Sequence, residues 1–164
     1  MKKIIILLIV FQSFSLFAQK SIEKLLKQYN DNSIPYITVQ ELAMLKTDVV
    51  ILDSRELKEY QTSHIKDAIY VGYDSFKIDS VKKQVKNKDS KIAVYCSLGI
   101  RSENIGKKLK KAGYKNVLNL YGGIFEFKNK NLPIYNPKGE ETDSIHGYSK
   151  EWGKWLTKGI KVYD

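Results

Sequence analysis

The residues with the clearest capacity for chemistry are Cys96-Ser97-Leu98-Gly99-Ile100-Arg101-Ser102, which hold the one cysteine of the 164-residue chain. The run before them, Lys91-Ile92-Ala93-Val94-Tyr95, reads as a β-strand, and Glu103 to Ala112 reads as a helix. A strand that ends in a tight loop and then opens a helix places that loop at the carboxyl edge of a sheet, where open α/β folds bind ligands. Backbone N–H groups in such a loop point inward and favour an anion. A thiol inside the ring loses its proton more easily, because the amides stabilise the thiolate. Gly99 supplies the tight turn, and Arg101 adds a permanent positive charge. The expectation is a nucleophilic Cys96 thiolate in a cradle formed by Ser97, Leu98, Gly99, Ile100, Arg101 and Ser102.

Four residues separate Cys96 from Arg101. Thiolate phosphatases also use a cysteine and an arginine, with one residue more between them, which widens the cradle enough for a tetrahedral phosphate. The shorter loop suits a single sulfur atom carried on Cys96. A structural cysteine is the competing reading, but such residues sit mid-strand among apolar neighbours, and Cys96 stands at a strand end. Asp53 and Arg55 close an earlier apolar strand. A carboxylate there can act as acid or base; its commoner role is to accept backbone N–H bonds and pin a loop. Arg55 is expected to pair locally with Glu56 or Glu59. His64 has the chemistry of a proton shuttle, and His146 stands alone. With two histidines, one cysteine and no clustered carboxylates, the sequence indicates no metal site, and the chemistry calls for no organic cofactor.

These residues need a scaffold, and short apolar runs alternate with helical ones along the chain. Tyr36-Ile37, Val49 to Leu52, Ala68 to Val71, Lys91 to Tyr95 and Asn116 to Leu120 read as strands, the apolar ones of the kind buried on both faces of a parallel sheet. Thr38 and Glu41 have capping-box spacing ahead of a helix through about Lys46. Glu56 to Gln61, Ile78 to Val85 and a segment from Gly123 to about Lys130 read as further helices. Gly113 falls where a C-cap glycine belongs. The pattern is an α/β fold with a parallel sheet.

Before and after that scaffold the composition changes. Residues 1–18 have a charged start, an apolar stretch and a small residue, Ala18, at the end, the pattern of a signal peptide. The run is short for a membrane span, so the chain is expected to be exported, periplasmic or secreted, without a stable membrane anchor. Removing Lys2 and Lys3 would take the formal charge from +10 to about +8. The remaining lysines are dispersed, which argues for solvated faces and a general attraction for small anions rather than for nucleic acid. Residues 19–35 read as an N-terminal helix and linker, 36–135 as the main domain, and 136–164 as an extension. Within the extension, Tyr148 to Lys158, with Trp152 and Trp155, is expected to form an amphipathic helix that docks back on the domain or offers a protein partner a surface.

The chain resembles the rhodanese-like domains, the single-domain sulfurtransferases. Leu52-Asp53-Ser54-Arg55, Glu59-Tyr60 and His64-Ile65 are similar to that family's first signature. Cys96, Gly99, Arg101 and Ser102 match its active-site loop, and Asn116-Val117, Leu120, Gly122-Gly123-Ile124 and Pro133-Ile134 its closing segment. Ser63 and Asp67 stand where the family prefers glycine, and Phe127 where tryptophan is usual. The resemblance implies a five-stranded parallel sheet with helices on both faces and a persulfide intermediate on Cys96. A donor such as thiosulfate would load the sulfur, and cyanide or a thiol would remove it, with the loop amides holding the persulfide and Arg101, with Lys107 or Lys108, attracting the donor. The alternatives are a persulfide carrier or partner-binding module and, disfavoured by loop length, a phosphatase or arsenate reductase.

Overall fold

The structure is a computed structural model that describes residues 22–45 and 48–164. The signal peptide expected over residues 1–18 lies outside the described residues. Residues 22–29 form helix α1, in which Lys27 Nζ pairs with Glu23 at 2.7 Å. Ser33–Asp164 form one compact unit, and the rest of the description concerns it.

The unit opens with β1 (Tyr36–Ile37) and α2 (Val39–Leu45). The expected capping box is in place: Thr38 Oγ1 accepts the Glu41 N–H at 3.2 Å, and Glu41 Oε2 accepts the Thr38 N–H at 2.8 Å. Next come β2 (Val50–Asp53), α3 (Leu57–Thr62), β3 (His64–Ile65), β4 (Ile69–Tyr70) and α4 (Ile78–Gln84). β5 (Lys91–Tyr95), α5 (Arg101–Lys111), β6 (Asn116–Leu120) and α6 (Gly123–Asn129) follow. α5 begins two residues earlier than the pattern suggests, so Arg101 lies in its first turn.

Five strands make one parallel sheet in the order β1-β6-β5-β2-β4. Alternation along β5 divides its side chains between the two faces. Ile92 and Val94 join a cluster with Leu52, Val81, Ile105 and Leu109, which seats α4 and α5 on one face. The buried side chains of α2 and α6, such as Leu42, Ile124 and Phe125, lie outside that cluster. Gly106 lets α5 approach closely, since a Cβ there would stand 2.9 Å from Ile34 Cγ1. Gly113 ends the same helix at φ +93°, in its expected C-cap role. Asp67, in the turn before β4, adopts φ +61°, the left-handed conformation that explains why glycine is preferred there.

The sheet's order reverses between β5 and β2. Chain leaving β2 crosses to β4 on one side, and chain leaving β5 crosses to β6 on the other. The carboxyl ends of β2 and β5 therefore flank the crevice in which such folds bind ligands.

Residues 136–164 pack within the same unit. β7 (Ile134–Tyr135) pairs antiparallel with both β3 and β8 (Glu141–Thr142), and β9 (Ser144–His146) pairs parallel with β10 (Ile160–Val162). The end of α6 anchors this segment. Lys128 pairs with Asp143, and Asn129 Oδ1 accepts the N–H groups of Thr157 at 2.7 Å and Lys158 at 3.2 Å. The amphipathic helix expected over Tyr148 to Lys158 is not formed; only Lys150–Gly153, α7, is helical. Tyr148 at φ +63° cannot extend it backwards; beyond it the Trp155 and Leu156 N–H groups make only turn bonds to the carbonyls of Trp152 and Gly153, and those of Thr157 and Lys158 are taken by Asn129. Gly153, the last residue of α7, lies against Tyr163, whose Oη would stand 2.2 Å from a Cβ there. Among the described residues no helix is long and apolar enough to cross a membrane.

Candidate active site

Cys96 follows β5 directly, so its place is set by a strand whose last four residues, Ile92 to Tyr95, are buried. Its Sγ accepts the Gly99 N–H at 3.1 Å, and Gly99 adopts φ +110°, the turn that brings this N–H inward. Ser102 Oγ lies 3.6 Å from the sulfur and 2.7 Å from Asn119 Oδ1. That hydroxyl has one proton to give and can serve the sulfur or the amide, not both at once. Burial by itself would push the Cys96 thiol up. The Arg101 charge, the Ser102 hydroxyl and the backbone N–H groups of Ser102 and Gly99 outweigh it, and the thiol lies below its ordinary value.

Asn119 and the start of α6 hold the loop from its two sides. Asn119 Nδ2 donates to Gly99 O at 2.8 Å and to Glu103 Oε2 at 3.1 Å. On the opposite side, the N–H groups of Ile124 and Phe125, at the start of α6, donate to Cys96 O at 3.0 Å and Ser97 O at 3.1 Å. Gly123 makes this approach possible, because a Cβ there would stand 2.3 Å from Cys96 O. Leu98 is buried and Ile100 half-buried, so both serve the loop by packing.

Arg101 does something more specific than attract anions. Its guanidinium forms a fork with Glu59, Nη1 to Oε2 and Nη2 to Oε1 both at 2.7 Å, and Nη2 also reaches Ser97 Oγ at 3.0 Å. The same carboxylate accepts the Ser97 hydroxyl at 2.9 Å and the Glu56 N–H at 2.9 Å, so both its oxygens are saturated. Burial raises the Glu59 pKa, but Arg101, with Arg55 behind it, holds it below the usual carboxylate range. The Arg101 charge that lowers the Cys96 thiol is therefore shared with Glu59. One face of the guanidinium carries the Tyr148 ring, 4.6 Å from its centroid.

Asp53 and Arg55 form a separate, fully buried unit. Arg55 Nη2 meets Asp53 Oδ2 at 2.6 Å and donates to Ser63 O at 2.6 Å, and Asp53 also accepts the Arg55 N–H at 3.0 Å. The Tyr95 hydroxyl donates to Asp53 Oδ2 at 2.5 Å and accepts the Ile65 N–H at 3.2 Å. This corrects the pairing expected for Arg55: Glu59 is claimed by α5, and Glu56 turns its carboxylate to the Asp74 N–H at 3.1 Å. The Asp53 pair joins β2, β5 and the turn at Ser63. His64 stacks on Tyr60 with ring centroids 4.1 Å apart, a packing contact in that turn. Lys108 Nζ lies 5.3 Å from the Phe76 ring centroid, two turns along α5 from Arg101, roughly 10 Å away. Among the described residues no group of His, Cys, Asp and Glu has the spacing to hold a metal ion.

Glu59, Asn119 and Tyr148 were not evident as parts of this site from the sequence. Asn119 carries a local signal, a polar side chain in the middle of the apolar strand Asn116-Val117-Leu118-Asn119-Leu120. Glu59 stands in the signature that resembles the family, but nothing local points it or Tyr148 to Arg101, because only the packing of α3 and of residues 136–164 brings them there.

The family model for the rhodanese-like domain matches residues 38–130. A tRNA uridine(34) hydroxylase of Hamiltonella defensa is 36% identical over 98 residues, which are 54% of this chain and 27% of that protein. The chain thus spans about a quarter of the length of that relative. Among solved structures, a rhodanese-related protein of Thermoplasma volcanium aligns with a TM-score of 0.50 at 25% identity over 61% of this chain and 96% of that one. A thiosulfate sulfurtransferase of Pseudomonas aeruginosa aligns with a TM-score of 0.60 at 21% identity, over 85% of this chain and 26% of the other, a likeness of fold.

Proposed function

This chain belongs to the rhodanese-like domain family, and we propose that it is a sulfurtransferase that carries sulfane sulfur on Cys96. The Cys96 thiolate attacks the outer sulfur of a donor such as thiosulfate. The new S–S bond forms as the bond from that sulfur to the sulfonate breaks, and sulfite leaves with the bonding electron pair. The persulfide that remains is attacked at its outer sulfur by cyanide or a thiolate. Thiocyanate or a new persulfide leaves, and the Cys96 thiolate is restored. This is covalent catalysis with two half-reactions. The Gly99 and Ser102 N–H groups are preorganised donors for the anionic sulfur. With Arg101 engaged by Glu59, donor capture falls mainly to these amides.

The contact between Cys96 Sγ and the Gly99 N–H, in a loop with four residues before Arg101, is what supports sulfur over phosphate as cargo. The hydroxylase name of the relatives belongs to proteins of which this chain matches one part, and that reaction is not carried over. The apolar pattern of residues 1–18 supports a setting outside the cytoplasm, where the donor and acceptor would be exported or external species. Intact mass spectrometry after thiosulfate treatment tests the chemistry. The protein is expected to gain one sulfur atom, to lose it to cyanide, and to gain none as Cys96→Ser. An unchanged mass, or hydrolysis of p-nitrophenyl phosphate that depends on Cys96, overturns the reading.

A further inference from the structure

The family match ends at residue 130, and Tyr148 lies beyond it. Its ring nevertheless covers the guanidinium of the loop arginine, 4.6 Å from Arg101 Cζ to the ring centroid. Its backbone is held at φ +63°, a conformation that is a genuine outlier for so bulky a residue. That conformation is locked from one side by its N–H, which donates to His146 Nδ1 at 3.0 Å. His146 is buried, and its Nε2 lies 3.4 Å from Asp164 Oδ1. The same carboxylate reaches Lys58 Nζ at 3.4 Å, on α3. α3 also carries Glu59, the other partner of Arg101. Gly147, next to Tyr148, admits no side chain, because a Cβ there would stand 2.5 Å from the Tyr163 ring. Three elements therefore meet on one guanidinium: α3 through Glu59, the Cys96 loop through Ser97, and residues 136–164 through Tyr148.

We propose that Tyr148 is a positioning residue of the Cys96 site, supplied by the segment outside the family domain, which clamps Arg101 in its fork with Glu59 and keeps water from its open face. The half-exposed ring contributes little to the core, so the strained backbone is retained for this contact rather than for packing. A cation under an aromatic face is stabilised more as water is excluded. The Arg101 charge then acts on Cys96 through a medium of lower dielectric and at a fixed distance. Without the ring, water reaches the guanidinium, and its pull on the sulfur weakens. The inference rests on Cys96 being the reactive group, but not on sulfur transfer.

The test is the pH profile of Cys96 alkylation by iodoacetamide, which reads the thiolate directly because the chain has one cysteine. Tyr148→Phe keeps the ring and is expected to keep the profile. Tyr148→Ala and Tyr148→Gly are expected to move the midpoint upward, with a roughly three- to tenfold slower alkylation at pH 7. The glycine variant separates positioning from folding, since glycine accepts the positive φ without strain and is expected to hold or raise the melting temperature while still losing reactivity. An unchanged profile in both the alanine and glycine variants overturns the proposal. So does a loss in Tyr148→Phe equal to that in Tyr148→Ala, which would transfer the role to the hydroxyl. A wild type that fails to accept sulfur from thiosulfate, with the alanine and glycine variants still showing the shifted profiles, would overturn the proposed function and leave this inference standing.

Discussion

Glu59 shows how much one carboxylate can organise. It accepts four hydrogen bonds, from Arg101 twice, Ser97 and Glu56, and it is buried. Removing one partner of a buried pair leaves the other charge uncompensated, which costs more than the pair itself contributes. Glu59→Ala is therefore expected to lower stability by about 3 kcal/mol in urea unfolding. The sign of the pH effect follows from the depressed carboxyl. A group whose folded pKa lies below its unfolded value contributes stability above the unfolded value and loses it as pH falls through the folded one. The protein should weaken on acidification below about pH 4, and Glu59→Gln should remove part of that slope. A slope of stability against pH that is the same in both proteins would show that Arg101 does not depress Glu59. The sequence marks Glu59 as part of a family signature and as a local partner for Arg55, but not as the partner of Arg101, which lies forty-two residues away in the chain.

At the scale of elements, the start of α6 is as much a part of the site as the loop it touches. Its first N–H groups lie against the carbonyls of Cys96 and Ser97, which fixes the loop from behind. Two consecutive glycines, at φ +71° and +57°, turn the chain from β6 into that helix. The Gly122-Gly123 pair was legible as a break in the pattern, but not as a close approach to the cysteine loop. Gly123→Ala combines a clash 2.3 Å from Cys96 O with a left-handed backbone. The expected cost is about 2 kcal/mol or more, together with slower Cys96 alkylation, because the clash falls on the carbonyl of Cys96 itself. A fully reactive, fully stable Gly123→Ala would mean that the loop moves freely away from α6. The capping box at Thr38 and the C-cap at Gly113, by contrast, were readable in full, because each is decided within a few residues of chain.

For the whole molecule, the question is whether residues 136–164 unfold with the family domain or apart from it. Both tryptophans, Trp152 and Trp155, lie in that segment, so their fluorescence reports it alone, whereas far-UV circular dichroism reports mainly the sheet and its helices. The anchoring of Thr157 and Lys158 by Asn129, the pairing of Lys128 with Asp143 and the pairing of β8 with β7 predict one cooperative unit. The two probes should give coincident urea transitions. A fluorescence transition well ahead of the circular dichroism would make the segment a separate, weaker layer and would remove the basis for its clamp on Arg101.

The sequence by itself determined where the one cysteine stands, the strand–loop–helix around it and the order of the strands of the parallel sheet, because each depends on neighbours within a few positions: apolar runs, caps, glycine turns and the spacing from Cys96 to Arg101. It also carried the resemblance to the rhodanese-like domains through motifs in their expected order. Only the tertiary structure decided how the Arg101 charge is used. Glu59 comes from α3 and Tyr148 from beyond the family domain, and side chains so far apart in the chain meet because parallel crossovers and the strands of residues 136–164 bring their backbones together. The same reason turned the tail from an expected helix into a strand pair with one short turn. Its hydrogen bonds are satisfied by Asn129 and by its own strands, and no periodicity within the segment could show partners that lie elsewhere in the fold.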